Sequence, residues 1–176
     1  IHTYHGHVFY GYFPPLKTKI IICIEKILGY ICTQSIAISP EIYADITSKY
    51  KVCKPSKTSI LNVGINTNLY ASLPSKKSSQ KSFQLPSDKF IIGFIGRLVD
   101  IKNPIAFVLL AKELMKSKNN LHFVIAGDGN LKDDVYQKIK SENLEQYFTL
   151  LPWVHEVEKI LVCLDLLIMT SLNEGT

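Results

Sequence analysis

The chain has 176 residues, 47% of them hydrophobic and 20% charged, and this composition excludes an intrinsically disordered protein. The four cysteines are not spaced as metal ligands, and the longest apolar run, Ile20–Ile24, is far shorter than the roughly 20 residues that a bilayer span needs. The net charge of +5 comes mostly from residues 1–57, which hold seven lysines and three acidic residues. This excess suits either an anionic lipid or substrate or a solvated lysine-bearing surface.

The first block of the chain alternates between strand-like and helix-like segments. His2–Tyr4 predicts the end of a strand, and Lys17–Cys32 predicts a helix because its isoleucines recur on one face. Ser35–Ser39 is typical of a short buried strand, and Ser39 is placed to cap a helix with Pro40 at its first position. Thr58–Leu61 predicts another strand.

Residues 71–89 are polar, rich in serine and lysine, and without periodicity, which predicts a loop or linker. The alternation then restarts in the second block. Near-continuous apolar runs predict strands at Phe90–Ile95, Leu121–Ala126, Phe148–Leu151 and Leu164–Met169. Helices are predicted at Pro104–Lys116, with Asn103 as its N-cap, and at Leu131–Ser141 and Glu156–Leu161.

Strands and helices in alternation indicate an α/β protein whose parallel sheets are covered on both faces. Two such blocks predict two Rossmann-like lobes, both incomplete. Residues 1–70 would belong to the first lobe and hinge, 71–89 to the linker, and 90–176 to the second lobe. Ligands of such sheets bind at the carboxyl ends of the strands, so the residues that follow strands are the candidates for chemistry.

Several familiar motifs are absent. Gly127-Asp-Gly129 follows a strand, but Lys132 stands where a dinucleotide-binding fingerprint needs its third glycine. There is no Gly-Lys-Ser/Thr phosphate loop, and His155-Glu-Val-Glu lacks the second histidine of a zinc-protease helix.

Two candidate clusters carry histidines or cations. The segment His2-Thr-Tyr-His-Gly-His7 is either a polar loop facing a substrate or a metal site. The absence of Cys and carboxylate residues nearby favours the polar loop. Arg97 follows a predicted strand directly, and Lys102 comes five residues later at the mouth of a helix. Two such cations would neutralise a diphosphate, although two surface cations are the plain alternative.

Two further clusters follow predicted strands. Ala126-Gly-Asp-Gly-Asn130 is either a place where a ligand approaches the backbone or simply a tight turn. Met169-Thr-Ser-Leu-Asn-Glu-Gly175 puts Glu174 where sheet ligands bind, or leaves it as an exposed turn carboxylate.

Taken in order, these segments resemble glycosyltransferase family 4, a family with the GT-B fold, over nearly the whole chain. The His2–His7 loop resembles the loop that faces the transferred sugar, and Gly96-Arg97 with Lys102-Asn103 resembles the donor diphosphate clamp. The other segments that carry the resemblance are Ile36-Ala-Ile-Ser39, Ile60–Asn66 with Asn66 where Asp is usual, Ala126–Gly129, Trp153-Val-His155, and Ser171–Gly175 as the start of a two-glutamate motif.

The resemblance implies a role for each matching residue. Arg97 and Lys102 would grip the donor diphosphate, Glu174 would contact donor-sugar hydroxyls, and His5 would lie near the reacting sugar on the other lobe. The remaining residues implied in donor binding are Gly6, Gly96, Gly127, Gly129, Val154, His155 and Gly175.

The resemblance also implies an activity: hexosyl transfer from a nucleotide-diphosphate sugar, UDP-linked, to a saccharide or lipid-linked acceptor in surface polysaccharide synthesis. Transfer would be retaining and metal-independent, with no cofactor, since the nucleotide sugar is a substrate. The protein would be cytoplasmic, with a peripheral contact at the inner membrane face through the Lys17/Lys19 region, and would bind no nucleic acid.

A second motif glutamate would lie eight residues beyond Glu174, so the resemblance implies a piece truncated at both ends and inactive by itself. Two alternatives stay open at this point. One is a nucleotide-sugar epimerase with the same fold, and the other is a non-catalytic fragment.

Overall fold

A computed structural model describes residues 1–6, 9–10 and 12–174. The described residues form two compact units, one spanning Ile1–Ile65 together with Asn173 and Glu174, the other spanning Asn66–Leu172.

The first unit is built on a parallel three-stranded sheet, as the alternating pattern predicts. The strands β1 (His2–Tyr4), β2 (Ser35–Ala37) and β3 (Thr58–Ile60) lie in the order β1-β2-β3. Helix α1 (Pro15–Ile31) connects β1 to β2. It begins two residues before the predicted helix, because Pro15 is favoured at the first position of a helix.

Helix α2 (Pro40–Ala44) follows β2 and begins where the sequence predicts. The Ser39 hydroxyl accepts a hydrogen bond from the Ile42 amide at 3.3 Å, which confirms the predicted N-cap. The chain continues as a π-helical turn, Asp45–Lys49, and a 3₁₀ turn, Pro55–Lys57, before β3.

The second unit is built on a four-stranded parallel sheet in the order β6-β5-β4-β7. Its strands are β4 (Phe90–Ile95), β5 (Leu121–Ala126), β6 (Phe148–Leu151) and β7 (Leu166–Leu167). Its longer helices are α4 (Pro104–Met115) and α5 (Lys132–Ser141), and the short α6 (Val157–Leu161) precedes β7. The predicted parallel α/β arrangement is therefore confirmed, although β7 is shorter than expected.

An aromatic cluster forms the centre of the second core. Phe94, Phe107 and Phe123 are fully buried, and the rings of Phe123 and Phe148 stack with centroids 5.2 Å apart. Every residue of β5 is buried, which is why its sequence is a continuous apolar run apart from His122. The His122 ring nitrogen Nε2 lies 2.8 Å from the Thr149 hydroxyl, so its polar edge is satisfied within the sheet.

The predicted loop at 71–89 is wrong in its middle, where helix α3 (Lys76–Ser82) forms. The Ser75 hydroxyl accepts from the Ser78 amide at 3.3 Å and so caps this helix. The helix buries Ser79 and Gln80, and Lys76 forms an ion pair with Asp165. Tertiary contacts therefore stabilise a helix whose polar sequence shows no helical periodicity.

No helix in the described part of the chain combines the length and apolar character needed to cross a bilayer.

Candidate functional site

The loops that follow β4 and β5 are joined through their backbones at the carboxyl end of the second sheet. The Gly96 amide donates to the Ala126 carbonyl at 3.0 Å, and the Leu98 amide donates to the Asp128 carbonyl at 2.9 Å. The Leu98 carbonyl in turn accepts from the Leu131 amide at 2.9 Å. The two predicted clusters therefore form one continuous surface, as expected for neighbouring parallel strands.

Glycines are required where these two loops touch. A Cβ on Gly127 would collide with the carbonyl oxygen of Gly96, and a Cβ on Gly129 would collide with that of Leu98. Both glycines also have positive φ, at +156° and +159°. Backbone packing thus accounts for Gly127 and Gly129, and their contact with a donor stays a prediction.

The turn that carries Lys102 is a 3₁₀ turn, Asp100–Lys102, closed by Asn103 in the left-handed region at φ +49° and ψ +53°. Asn103 occupies the predicted N-cap position of α4, but its side chain makes no capping hydrogen bond, since its backbone is not in the extended region that a capping side chain needs. Its amide instead donates to the Asp100 carbonyl at 3.0 Å. Asparagine tolerates this conformation better than most residues.

Thr170 ties the end of the β7 segment to that turn. Its hydroxyl lies 2.8 Å from the Asn103 carbonyl and 3.3 Å from the Lys102 carbonyl, and the Leu172 amide donates to the Ile101 carbonyl at 2.8 Å. Thr170 lies within the cluster Met169–Gly175, but no role was predicted for it. A hydroxyl directly after an apolar strand and next to a candidate site is the signal that could have found it.

The two predicted donor-binding cations thus belong to one loop with two fixed ends. Arg97 is exposed directly after β4, and Lys102 is half-buried in the turn that Thr170 holds. A planar guanidinium and an ammonium on such a loop present positive charge at the end of the sheet where ligands bind.

A small pocket lies at the ends of β4 and β5, and its lining includes Gly96, the residue before Arg97. Its lining brings together three predicted donor-binding residues, Gly96, Gly127 and Val154, with the half-exposed ring of Trp153. His155, predicted for the same stretch, is exposed and does not line the pocket. The remaining lining residues are Ile95, Ala126 and Val157.

Asp128 lies between the two glycines and has an electrostatic role within its own turn. The Gly129 amide donates to its carboxylate at 2.8 Å, and Lys132 pairs with it at 3.2 Å. These two interactions lower the pKa of Asp128, so the carboxylate stays charged and holds the turn.

In the first unit, the predicted sugar-facing residues follow a buried hydrogen-bonded tyrosine. The Tyr4 hydroxyl donates to Glu25 at 2.9 Å and lies 3.5 Å from the Cys53 sulfur, and burial raises its pKa. His5, which comes next, is exposed, and Gly6 is half-buried with φ +151°. The backbone at Gly6 is therefore one that other residues rarely adopt.

Glu174 is exposed and belongs to the first unit by its contacts, whereas Gly175 lies outside the described residues. Within residues 1–6, 9–10 and 12–174, no three side chains of His, Cys, Asp or Glu are grouped to hold a metal ion.

Comparison with known proteins identifies a family and a fold. A family model described as glycosyl transferases group 1 matches residues 75–176. The crystal structure of Anabaena Alr3699/HepE in complex with UDP-glucose superimposes with a TM-score of 0.78 at 17% identity, covering 96% of this chain and 46% of that one. This likeness confirms the predicted GT-B type of fold.

Two curated relatives are named for sugar transfer to lipid-linked acceptors. UDP-Gal:alpha-D-GlcNAc-diphosphoundecaprenol alpha-1,3-galactosyltransferase of Escherichia coli is 29% identical over 99% of this chain and 46% of its own length. An alpha-1,4-N-acetyl-D-galactosaminyltransferase of Campylobacter jejuni, which acts on a diphosphoundecaprenol-linked sugar by its name, is 35% identical over 58% of this chain and 28% of its own length. The chain thus spans 46% of the length of the first relative and 28% of the length of the second.

Proposed function

We propose that this chain, which belongs to the glycosyl transferases group 1 family, is part of an enzyme that transfers a hexosyl group from a nucleotide-diphosphate sugar to a saccharide or lipid-linked acceptor. The observation that carries the proposal is the loop Gly96–Asn103, which places Arg97 and Lys102 at the carboxyl end of the sheet. The product would be a surface polysaccharide, in keeping with the name of the capsular polysaccharide biosynthesis glycosyltransferase CapM of Staphylococcus aureus, which is 25% identical over 63% of this chain.

The donor in this proposal is a UDP-sugar. Arg97 offers a planar fork to the diphosphate oxygens and Lys102 a point charge, so together they would offset the charge of the departing nucleotide. The pocket at Gly96, with Val154 and the ring of Trp153, would receive the nucleobase. UDP-galactose is the donor in the name of the E. coli relative, and HepE was crystallised with UDP-glucose.

Transfer would be retaining and metal-independent. Two fixed cations would do for the leaving diphosphate what a divalent ion does in other sugar transferases, since both stabilise charge that develops in the transition state. The leaving diphosphate would accept the proton of the attacking hydroxyl on the same face of the sugar. Glu174 would orient donor hydroxyls, and His5 would act on the acceptor side.

The acceptor in this proposal is a lipid-linked saccharide, as in the names of both curated relatives. An enzyme with such an acceptor would work in the cytoplasm at the inner face of the membrane. Helix α1, with Lys17 and Lys19 exposed near its start, would make the contact with that membrane.

The test is an assay of the intact protein with a panel of UDP-hexoses, a diphospholipid-linked acceptor, and EDTA. The proposal predicts release of UDP only when acceptor is present, at a rate that EDTA leaves unchanged, and a product with the anomeric configuration of the donor by NMR. Interconversion of UDP-hexoses without acceptor would instead establish an epimerase, and absence of both reactions would support a non-catalytic chain.

A further inference from the structure

The outward face of α1 is apolar, although the helix already has a core-facing side. Ile21 and Ile22 pack against the core of the first unit, Gly29 is buried, and Glu25 accepts the Tyr4 hydrogen bond. These residues define the inner face of the helix, since residues three, four and seven apart lie on one side.

The opposite side of α1 carries a stripe of large apolar residues at intervals of four and seven. Leu16, Ile20, Ile27 and Ile31 are exposed by between 53% and 74%. A surface helix normally turns a polar face outward, so a helix that is apolar on both sides indicates a second apolar neighbour.

Lysines are the charged residues on the exposed part of α1. Lys17, Lys19 and Lys26 are all exposed, whereas Glu25, the acid of this helix, faces inward. The ammonium of Lys17 also lies 4.1 Å from the centre of the Phe13 ring. An apolar stripe bordered by lysines and aromatic rings is the pattern of a helix that lies in a membrane interface.

A pocket near the carboxyl end of α1 adds an independent observation. Lys26, Lys51 and Lys54 line it together with Tyr30, and its lining contains no acidic residue. The described part of the chain holds no ion pair to these three lysines, while the Lys54 ammonium lies 5.6 Å from the centre of the Tyr30 ring. The remaining lining residues are Gly29, Thr47, Val52, Cys53 and Pro55.

Lys51 occupies this pocket at a conformational cost. Its φ is +53°, in the left-handed region that glycine or asparagine would adopt more easily. A lysine at this position is therefore less favourable for the backbone than glycine or asparagine would be.

We propose that this surface binds a bilayer containing anionic phospholipid. A lipid phosphate enters the pocket of Lys26, Lys51 and Lys54, and the stripe of Leu16, Ile20, Ile27 and Ile31 lies among the acyl chains. The inference rests on the proposed function, in which the acceptor is carried by a membrane lipid. It goes further by assigning the lipid class, the phosphate-binding lysines and the inserted side chains.

Charge and apolar area act together in such a site. Lysines near an anionic leaflet each strengthen binding by about a factor of five, and this contribution falls with salt. The apolar stripe adds binding that salt does not screen. A phosphate pocket near the carboxyl end of a helix that also carries an apolar stripe fits a phospholipid, because a free phosphate would make no use of the stripe.

The test measures binding of the intact protein to sedimented vesicles of phosphatidylglycerol mixed with phosphatidylcholine, against pure phosphatidylcholine. The variant Lys26→Gln/Lys51→Gln/Lys54→Gln is expected to bind anionic vesicles about 100-fold more weakly. The matched control Lys77→Gln/Lys118→Gln/Lys140→Gln, which removes the same charge from exposed positions in the second unit, should change binding by a factor of about two or less.

A second pair of variants tests the stripe. Ile27→Ser should weaken vesicle binding at high salt, whereas Leu109→Ser, at an exposed position of α4, should not. Equal binding to both vesicle types, or equal loss in the two lysine variants, would overturn the proposal. So would a spin label at position 27 that is shielded without vesicles, or self-association that Ile27→Ser abolishes, since protein rather than lipid would then cover the stripe.

Transferase activity of the same variants with a water-soluble acceptor separates this inference from the proposed function. The lipid-site variants should keep that activity, because their changes lie on α1 and the adjoining turn. The protein could lack transferase activity while its vesicle binding still depends on Lys26, Lys51 and Lys54. That result would support the lipid site and contradict the proposed function.

Discussion

The Thr170 hydroxyl donates a 2.8 Å hydrogen bond to the backbone carbonyl of Asn103, joining positions 67 residues apart. Asn103 closes the turn that contains Lys102, and the same hydroxyl lies 3.3 Å from the Lys102 carbonyl. The position of a predicted phosphate-binding cation is therefore set by a side chain from the end of the sheet, in addition to its own turn.

Thr170→Val should loosen this turn, because valine keeps the shape of threonine and removes the donor. The loss of a partly buried hydrogen bond is expected to lower the free energy of unfolding by about 1–2 kcal/mol. In the intact protein, affinity for UDP should fall as well. Thr170→Ser keeps the hydroxyl and should restore most of the affinity. Chemical denaturation and calorimetry measure the two effects, and unchanged UDP affinity in Thr170→Val would remove the positioning role.

Gly127→Ala should destabilise the second unit, because the new Cβ would meet the Gly96 carbonyl in a backbone conformation that suits glycine. The expected loss is about 1–3 kcal/mol, as for overpacking elsewhere. Gly96→Ala is the matched comparison, since a Cβ there would meet its nearest atoms at 3.8 Å or more. Thermal unfolding of both variants checks this. Equal losses would show that the contact between the two loops is not the cause.

Glu142 should make stability depend on pH between about 5 and 2. Hydrogen bonds from Lys112, and to a smaller extent from Lys138, lower the pKa of Glu142 from 4.5 to about 2. A carboxylate whose pKa is lower in the folded protein than in the unfolded chain stabilises the folded protein at pH values above the pKa of the unfolded chain. This contribution disappears as the pH falls through the pKa that the carboxylate has in the folded protein.

The melting temperature of Glu142→Gln should therefore lie below that of the wild-type protein at pH 7, and the difference should vanish near pH 2. Glu113→Gln removes an exposed carboxylate that pairs with Lys116, the residue directly after the same helix, and should change little at either pH. A difference between Glu142→Gln and wild type that is the same at pH 7 and pH 2 would contradict this account.

The strands β4 and β5 could be predicted because each buries a nearly continuous apolar segment. The helix α3 could not, because its sequence Lys-Lys-Ser-Ser-Gln-Lys-Ser has no apolar face. Its stability comes from the Ser75 cap and from contacts such as the ion pair of Lys76 with Asp165, 89 residues away. Contacts between residues so far apart in the chain leave no local pattern.

The candidate site shows the same division. The ends of β4 and β5 could be located from the glycines that follow them, and the structure joins these two loops. The left-handed conformation of Asn103 could not be foreseen, because it depends on the turn before it and on Thr170. Asn66 accepts a hydrogen bond from the Asn68 amide at 3.1 Å, so its side-chain oxygen caps the next turn as the carboxylate of an aspartate would.

Arg97→Ala should lower turnover of the intact enzyme by about 100-fold, as removal of a donor to developing negative charge does elsewhere. Arg97→Lys should recover only part of the rate, because an ammonium cannot form the two parallel hydrogen bonds of a guanidinium. The measurement is the rate of acceptor-dependent UDP release at saturating donor. A rate equal to that of the wild-type enzyme would take Arg97 out of the reaction.

The measurement that tests the central claim most directly is calorimetric binding of UDP to the intact protein in EDTA. We expect binding without any metal ion, weakened by about tenfold or more in Arg97→Ala and in Lys102→Ala, since hydrogen bonds to charged groups contribute that much. Lys116→Ala, at an exposed lysine of the same unit, should bind as the wild type does. Wild-type affinity in both cation variants, or binding that appears only when a divalent ion is added, would contradict the account.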